Sequence, residues 1–131
     1  TILDFKLALA IQKGIDVNII GVAPQSLNIN DYDLCCILTN IIDNAIESCE
    51  LMRRGNEKKI KCNFSVYKGF LKIEITNSVE SYNPSFLTKK KDKNLHGLGL
   101  EIIKIVVEKN NGFCYFGTDN NIFRSKVLLN L

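Results

Sequence analysis

The sequence predicts an α/β fold, a layer of helices on one mixed β-sheet. Two observations point to it. Long segments carry apolar residues at helical spacing, and shorter runs alternate apolar with polar residues. The order in which the two kinds follow one another predicts a layer of helices on a mixed sheet, an α/β sandwich.

Ile2 to Lys13 reads as an amphipathic helix, with Ile2, Phe5, Leu9 and Ala10 along one side and Gly14 as its stop. Asp16 to Ile20 alternates loosely and suggests a strand, and Pro24 to Asn30 connects it onward. Asn30 is placed to cap a helix running to about Met52, with Asp31 and Asp33 in the first turn, where the helix dipole favours acids. Ile60, Cys62, Phe64 and Val66 share one strand face, and Leu71, Ile73 and Ile75 share another, with Lys68-Gly69 as the turn. No period is visible from Asn77 to about Leu95, and so long a stretch in a compact domain suggests a lid, a binding loop or disorder. A helix from Leu98 to Asn110 follows, closed by Asn111-Gly112. Phe113 to Phe116 and Arg124 to Leu129 then read as a hairpin around Asp119-Asn120-Asn121.

With 131 residues the chain suits one domain, residues 1–131, and neither a repeat nor an internal boundary is visible. An apolar share of 46% against 24% charged is ordinary for a globular protein. No apolar run approaches the roughly 18 residues that span a bilayer. The start at Thr1, without a methionine and already inside a helical pattern, suggests a fragment. The five cysteines fall in no metal-ligand spacing and read as small apolar fillers. A net charge of +3 is too small to argue for nucleic acid. Lys89, Lys90, Lys91 and Lys93 cluster in one loop, either a solvated run or a contact for an anion.

On the helix from Asp31 to Met52, Leu34, Leu38, Ile41, Ile42, Ala45, Ile46 and Cys49 form the arc that should face the core. Opposite them lie Asn40, Asp43, Asn44 and Glu47, with Asn40 and Asn44 one turn apart. Two readings stand side by side. The arc is a solvated polar face, or its amide and carboxylate oxygens are ligands for Mg²⁺. Asn is a mediocre helix former where Lys, Glu or Gln would serve a plain surface, which weighs for the second. The run His96-Gly97-Leu98-Gly99-Leu100 is either a tight loop-to-helix junction or a phosphate contact, since glycines at a helix start allow close backbone approach.

Taken together, these runs resemble the GHKL superfamily of gyrase, Hsp90, MutL and the histidine kinases. The segment Leu38-Thr39-Asn40-Ile41-Ile42-Asp43-Asn44-Ala45-Ile46-Glu47 looks like its N-box, and His96-Gly97-Leu98-Gly99-Leu100 looks like the G2 box that closes the ATP lid. The resemblance implies a Bergerat-fold two-layer sandwich, a mixed sheet covered on one face by helices, with ATP and Mg²⁺ between the N-box helix and the lid. It implies Asn44 as the Mg²⁺ ligand, Asn40 and Glu47 bordering the phosphates, and Lys89 or a neighbour reaching them from the lid. The first glycine box, usually D-x-G-x-G with an adenine-binding Asp, reads Asn77-Ser78-Val79 here, so Asn77 stands for the Asp and both glycines are missing.

In the superfamily's ATPases, a Glu one turn before the Mg²⁺ Asn is the base for water. Asn40 occupies that position, and an amide cannot take the proton. A kinase therefore fits better than a hydrolase. The pattern looks most like the peptide quorum-sensing kinases of the accessory-gene-regulator type. That resemblance implies a cytoplasmic domain of a membrane-anchored, homodimeric sensor that feeds a response regulator. The acceptor histidine would lie on an upstream dimerisation domain, because His96, the sole histidine, falls in the presumed G2 box, where it supports the lid hinge. The rival readings are a serine kinase of the anti-sigma-factor type and a non-catalytic nucleotide-sensing module.

Overall fold

The computed structural model describes the backbone of residues 2–80 and 94–131, and the side chains of residues 3–80 and 99–131. Among these the helices are α1 (Ile2–Gln12), α2 (Asp31–Glu50) and α3 (Asn94–Lys109). The strands are β1 (Asp16–Ile20), β2 (Lys59–Tyr67), β3 (Phe70–Ser78), β4 (Phe113–Asp119) and β5 (Ile122–Asn130). They form one sheet in the order β1-β2-β3-β5-β4. Only the β1–β2 pair is parallel, and α2 supplies the crossover that a parallel pair needs. The remaining pairs are antiparallel, so the sheet is mixed as expected.

Turn chemistry sets the hairpins. Lys68 and Gly69 join β2 to β3, Asn120 and Asn121 join β4 to β5, and all four residues take positive φ, as a two-residue hairpin turn requires. The helix ends are equally local. At Asn30 the side-chain Oδ1 accepts from the Asp33 N–H at 2.7 Å and starts α2. Gly14 stops α1 at φ +81°, with its own N–H on Ile11 and that of Ile15 on Ala10. Asn111 does the same for α3 at φ +58°, donating to Glu108 while Gly112 donates to Val107.

The three helices cover one face of the sheet. Ile60, Cys62, Ile73, Ile75, Val127 and Leu129 rise from the strands to meet Ile37, Ile41, Ile42 and Ala45 of α2 and Ile103 and Val107 of α3. The alternation in β3 is complete, with Leu71, Ile73, Ile75 and Asn77 inward.

Some sequence expectations are corrected. In α1 it is Leu7 (4% exposed) and Ala10 that are buried, with Leu3 packed beside them, whereas Phe5 is 63% exposed. Apolar residues ring this helix on all sides, so its spacing does not fix which side turns inward. In α2, Ile37 is fully buried, while Leu34 and Leu38 only lean on the core's edge. Helix α3 begins at Asn94, four residues ahead of Leu98, so the whole glycine run is helical. Most of the aperiodic stretch, with Lys89 and the other lysines of its cluster, lies outside the described residues.

Candidate functional site

The polar arc of α2 does not look into open solvent along its length. It meets α3, and Gly99 lies at the contact. A Cβ placed there would lie 3.6 Å from Asn40 Oδ1, 3.6 Å from Asn44 Oδ1 and 3.7 Å from Asn44 Nδ2. The two asparagines and the second glycine of the run thus meet at one point, although more than fifty residues separate them in sequence. Both Asn side chains are half-buried.

Each is held differently. Asn40 Nδ2 donates to the Cys36 carbonyl one turn back at 2.7 Å, which fixes the amide and turns Oδ1 toward Gly99. Beside Asn44, Asp43 is paired with Lys6 of α1 at 2.9 Å. A second α1–α2 pair, Lys13 with Glu50 at 2.8 Å, lies further along the two helices. Glu47 is exposed at the following turn.

Asn77 lies at the end of β3, 3% exposed and on the helix side of the sheet. Its Nδ2 donates to the Ser78 carbonyl at 3.0 Å, which leaves Oδ1 as the group suited to accept from a ligand. That same carbonyl is 3.9 Å from Cys49 Sγ, so the end of β3 lies beneath the C-terminal half of α2. In α3, His96, Gly97 and Leu98 are helical, their side chains lie outside the described residues, and Leu100 packs against the core. Asn40, Asn44 and Gly99 are therefore brought together, with Asn77 on the same face of the sheet.

A clasp not foreseen from sequence fixes how α3 lies on α2. Asp33, 3% exposed in the first turn of α2, accepts from Asn110 Nδ2 at 3.1 Å and pairs with Lys109 at 3.1 Å. The Asn110 hydrogen bond and then the Lys109 bond hold its carboxyl below the ordinary value of 3.8, against the opposing effect of burial. The clasp joins the start of α2 to the end of α3, while Gly99 meets the middle of α2. The acid three residues after a capping Asn is visible in the sequence, but nothing there points to Lys109 or Asn110.

Three of the cysteines carry no sign of reactivity. Burial pushes Cys62 up to about 11 and raises Cys49 and Cys114 as well, which keeps these thiols protonated. Among the described residues, no three His, Cys, Asp or Glu side chains converge to hold a metal by themselves. None of their helices is long and apolar enough to cross a membrane.

Comparison with known proteins decides the family, because the sequence model of the GHKL domain matches residues 29–130, most of the chain. The chain belongs to the GHKL domain family. Its fold is that of histidine kinase catalytic domains. The catalytic domain of histidine kinase ThkA, in a nucleotide-free form, superposes with a TM-score of 0.71 at 18% identity, covering 98% of this chain and 88% of that one. The histidine kinase domain of the blue-light activated kinase EL346 from Erythrobacter litoralis gives 0.73 at 12% identity, covering 98% and 60%. No curated protein matches this GHKL chain in sequence.

Proposed function

We propose that this GHKL chain is the ATP-binding catalytic domain of a two-component sensor histidine kinase, and that residues 1–131 act as one such domain. The observation that carries the reading is the meeting of Asn40, Asn44 and Gly99. Two carboxamide oxygens one helical turn apart look onto a helix whose only side-chain substituent at that point is a hydrogen. Such a place suits a hard cation and the phosphates it accompanies.

In this reading Asn44 is the Mg²⁺ ligand, and Asn40 and Glu47 border the phosphates. The donor set fits, because Mg²⁺ takes oxygen ligands and keeps several waters, needing few from the protein. When bound, Mg²⁺ neutralises charge building on the β- and γ-phosphate oxygens. Asn77 receives the adenine amino group at Oδ1. Lys89, His96, Gly97, Leu98, Gly99 and Leu100 close over the nucleotide. The N–H groups of Asn94, Leu95 and His96, in the first turn of α3, have no partner within the helix, so an anion at this end is favoured. Gly99 lies beyond that turn and serves as clearance.

Asn40 holds no proton-accepting group for water, so transfer to a strong nucleophile is favoured over hydrolysis. The γ-phosphoryl group goes to a histidine nitrogen of a separate dimerisation domain in a homodimeric, membrane-anchored protein, and from there to a response regulator. Among such kinases, the N-box and G2 runs favour the peptide quorum-sensing type.

The test is phosphotransfer. The chain alone with ATP–Mg²⁺ should hydrolyse it barely at all and stay unlabelled. Adding the helical acceptor domain of the intact protein should yield acid-labile, alkali-stable phosphate. Acid-stable phosphate on serine, or robust ATP turnover by the chain alone, would refute the histidine kinase reading.

A further inference from the structure

The face of the sheet turned away from the helices has a charge pattern unrelated to the nucleotide reading. Strand register brings Lys61, Arg124, Lys126 and Lys72 together on its three central rows. Glu74 is the only acid in those rows. Beyond them, the next row sets Lys59 between Asp16 and Asp119, so the positive patch has an edge.

Glu74 cannot cancel the patch. It is shared by Arg124 at 2.9 Å, Lys126 at 3.7 Å and Lys72 at 4.0 Å. Lys61, exposed on the neighbouring strand, has no ion-pair partner among the described residues. Between Lys61 and Arg124 lies a hollow of about 220 Å³, floored by Asn63, Thr76 and Glu74. Toward β4 the same face carries two exposed aromatics, Tyr115 and Phe113, the latter edge-on to Phe70 at 6.1 Å. Arg and aromatic side chains together are what protein interfaces favour at their anchors.

We propose that this outer sheet face docks an acidic segment of a protein partner. One carboxylate of the segment sits in the hollow between Lys61 and Arg124, and an apolar side chain rests on Tyr115 and Phe113. Charge complementarity selects the occupant, since four cations face one carboxylate that is already shared. A nucleic acid fits less well. Its bases need aromatic platforms among the cations, whereas here the aromatics stand to one side and a carboxylate sits at the centre.

The experiment uses the whole chain and a fluorescein-labelled peptide alternating Glu with Leu, followed by anisotropy. The peptide should bind, and binding should weaken as ionic strength rises. Lys61→Glu/Lys126→Glu should weaken it about tenfold, two exposed charge reversals being worth roughly that much. Glu74→Gln, which removes the competing carboxylate, should tighten it about threefold. ATP affinity should stay the same in all three proteins, since these side chains lie on the opposite face from α2 and α3, and that constancy also reports that the variants are folded. Equal peptide affinity for wild type and the double reversal would overturn the proposal. So would displacement of the peptide by an oligouridylate or by phosphatidylserine vesicles at lower charge concentration than the unlabelled peptide needs.

Discussion

Gly99→Ala should raise the stability of this GHKL domain and weaken its hold on nucleotide, two effects of opposite sign from one methyl group. Gly99 is helical and is not among the glycines with positive φ, so no backbone strain opposes alanine there. The added carbon meets its nearest neighbours at 3.6–3.7 Å, ordinary van der Waals contact. Replacing glycine in a helix interior then gains about 0.5–1 kcal/mol, which for a domain of this size is a rise of roughly 2–5 °C in Tm. The same methyl covers the two carboxamide oxygens that the proposed site offers to Mg²⁺ and phosphate. Losing one hydrogen bond to a charged ligand group costs about 1.5–3 kcal/mol, or roughly ten- to a hundredfold in affinity. Differential scanning calorimetry and ATP–Mg²⁺ titration read the two effects separately. A stabilised Gly99→Ala protein that binds nucleotide as well as wild type would refute the reasoning.

Other consequences follow from the packing. The clasp at Asp33 contributes stability that is complete above the ordinary carboxyl value of 3.8 and is lost as pH falls through the lowered folded value. Wild-type Tm should therefore drop on acidification from about pH 4 downward, and Asp33→Asn should flatten part of that slope; identical acid limbs would contradict the clasp. On α1, Leu7→Ala should cost about 2–5 kcal/mol and Phe5→Ala less than about 0.5 kcal/mol in urea unfolding. The reverse order would mean that the helix packs by the side its sequence first suggests.

Strands and turns were readable because their signals are local. Gly69 and the asparagines at 120 and 121 tolerate the positive φ that a two-residue hairpin turn requires, and the alternation in β3 depends on no other strand. The polar arc of α2 was readable for a similar reason, although Ile37, absent from the expected core arc, is fully buried and Leu34 and Leu38 sit at the core's edge. In α1 the apolar residues are not divided, so only packing against α2 settles that Leu7 faces inward. Helix α3 extends four residues before Leu98 because His96 and two glycines, weak helix formers, hid its first turn. The partners of Asp33 lie 76 and 77 residues away in sequence, a separation that no local pattern bridges. The basic outer face has the same origin, since its cations belong to three strands and meet only through register.

The most direct measurement of the central claim is calorimetric titration of ATP–Mg²⁺ into the wild-type chain and into Asn44→Ala. Asn44 is half-buried and lies off the core arc, and alanine is the better helix former, so the variant should melt at or above the wild-type temperature. Wild type should bind ATP only with Mg²⁺ present, and folded Asn44→Ala should show no Mg²⁺-dependent binding. Unchanged ATP–Mg²⁺ affinity in the folded variant would contradict the assignment of Asn44, and with it the site built around Asn40 and Gly99.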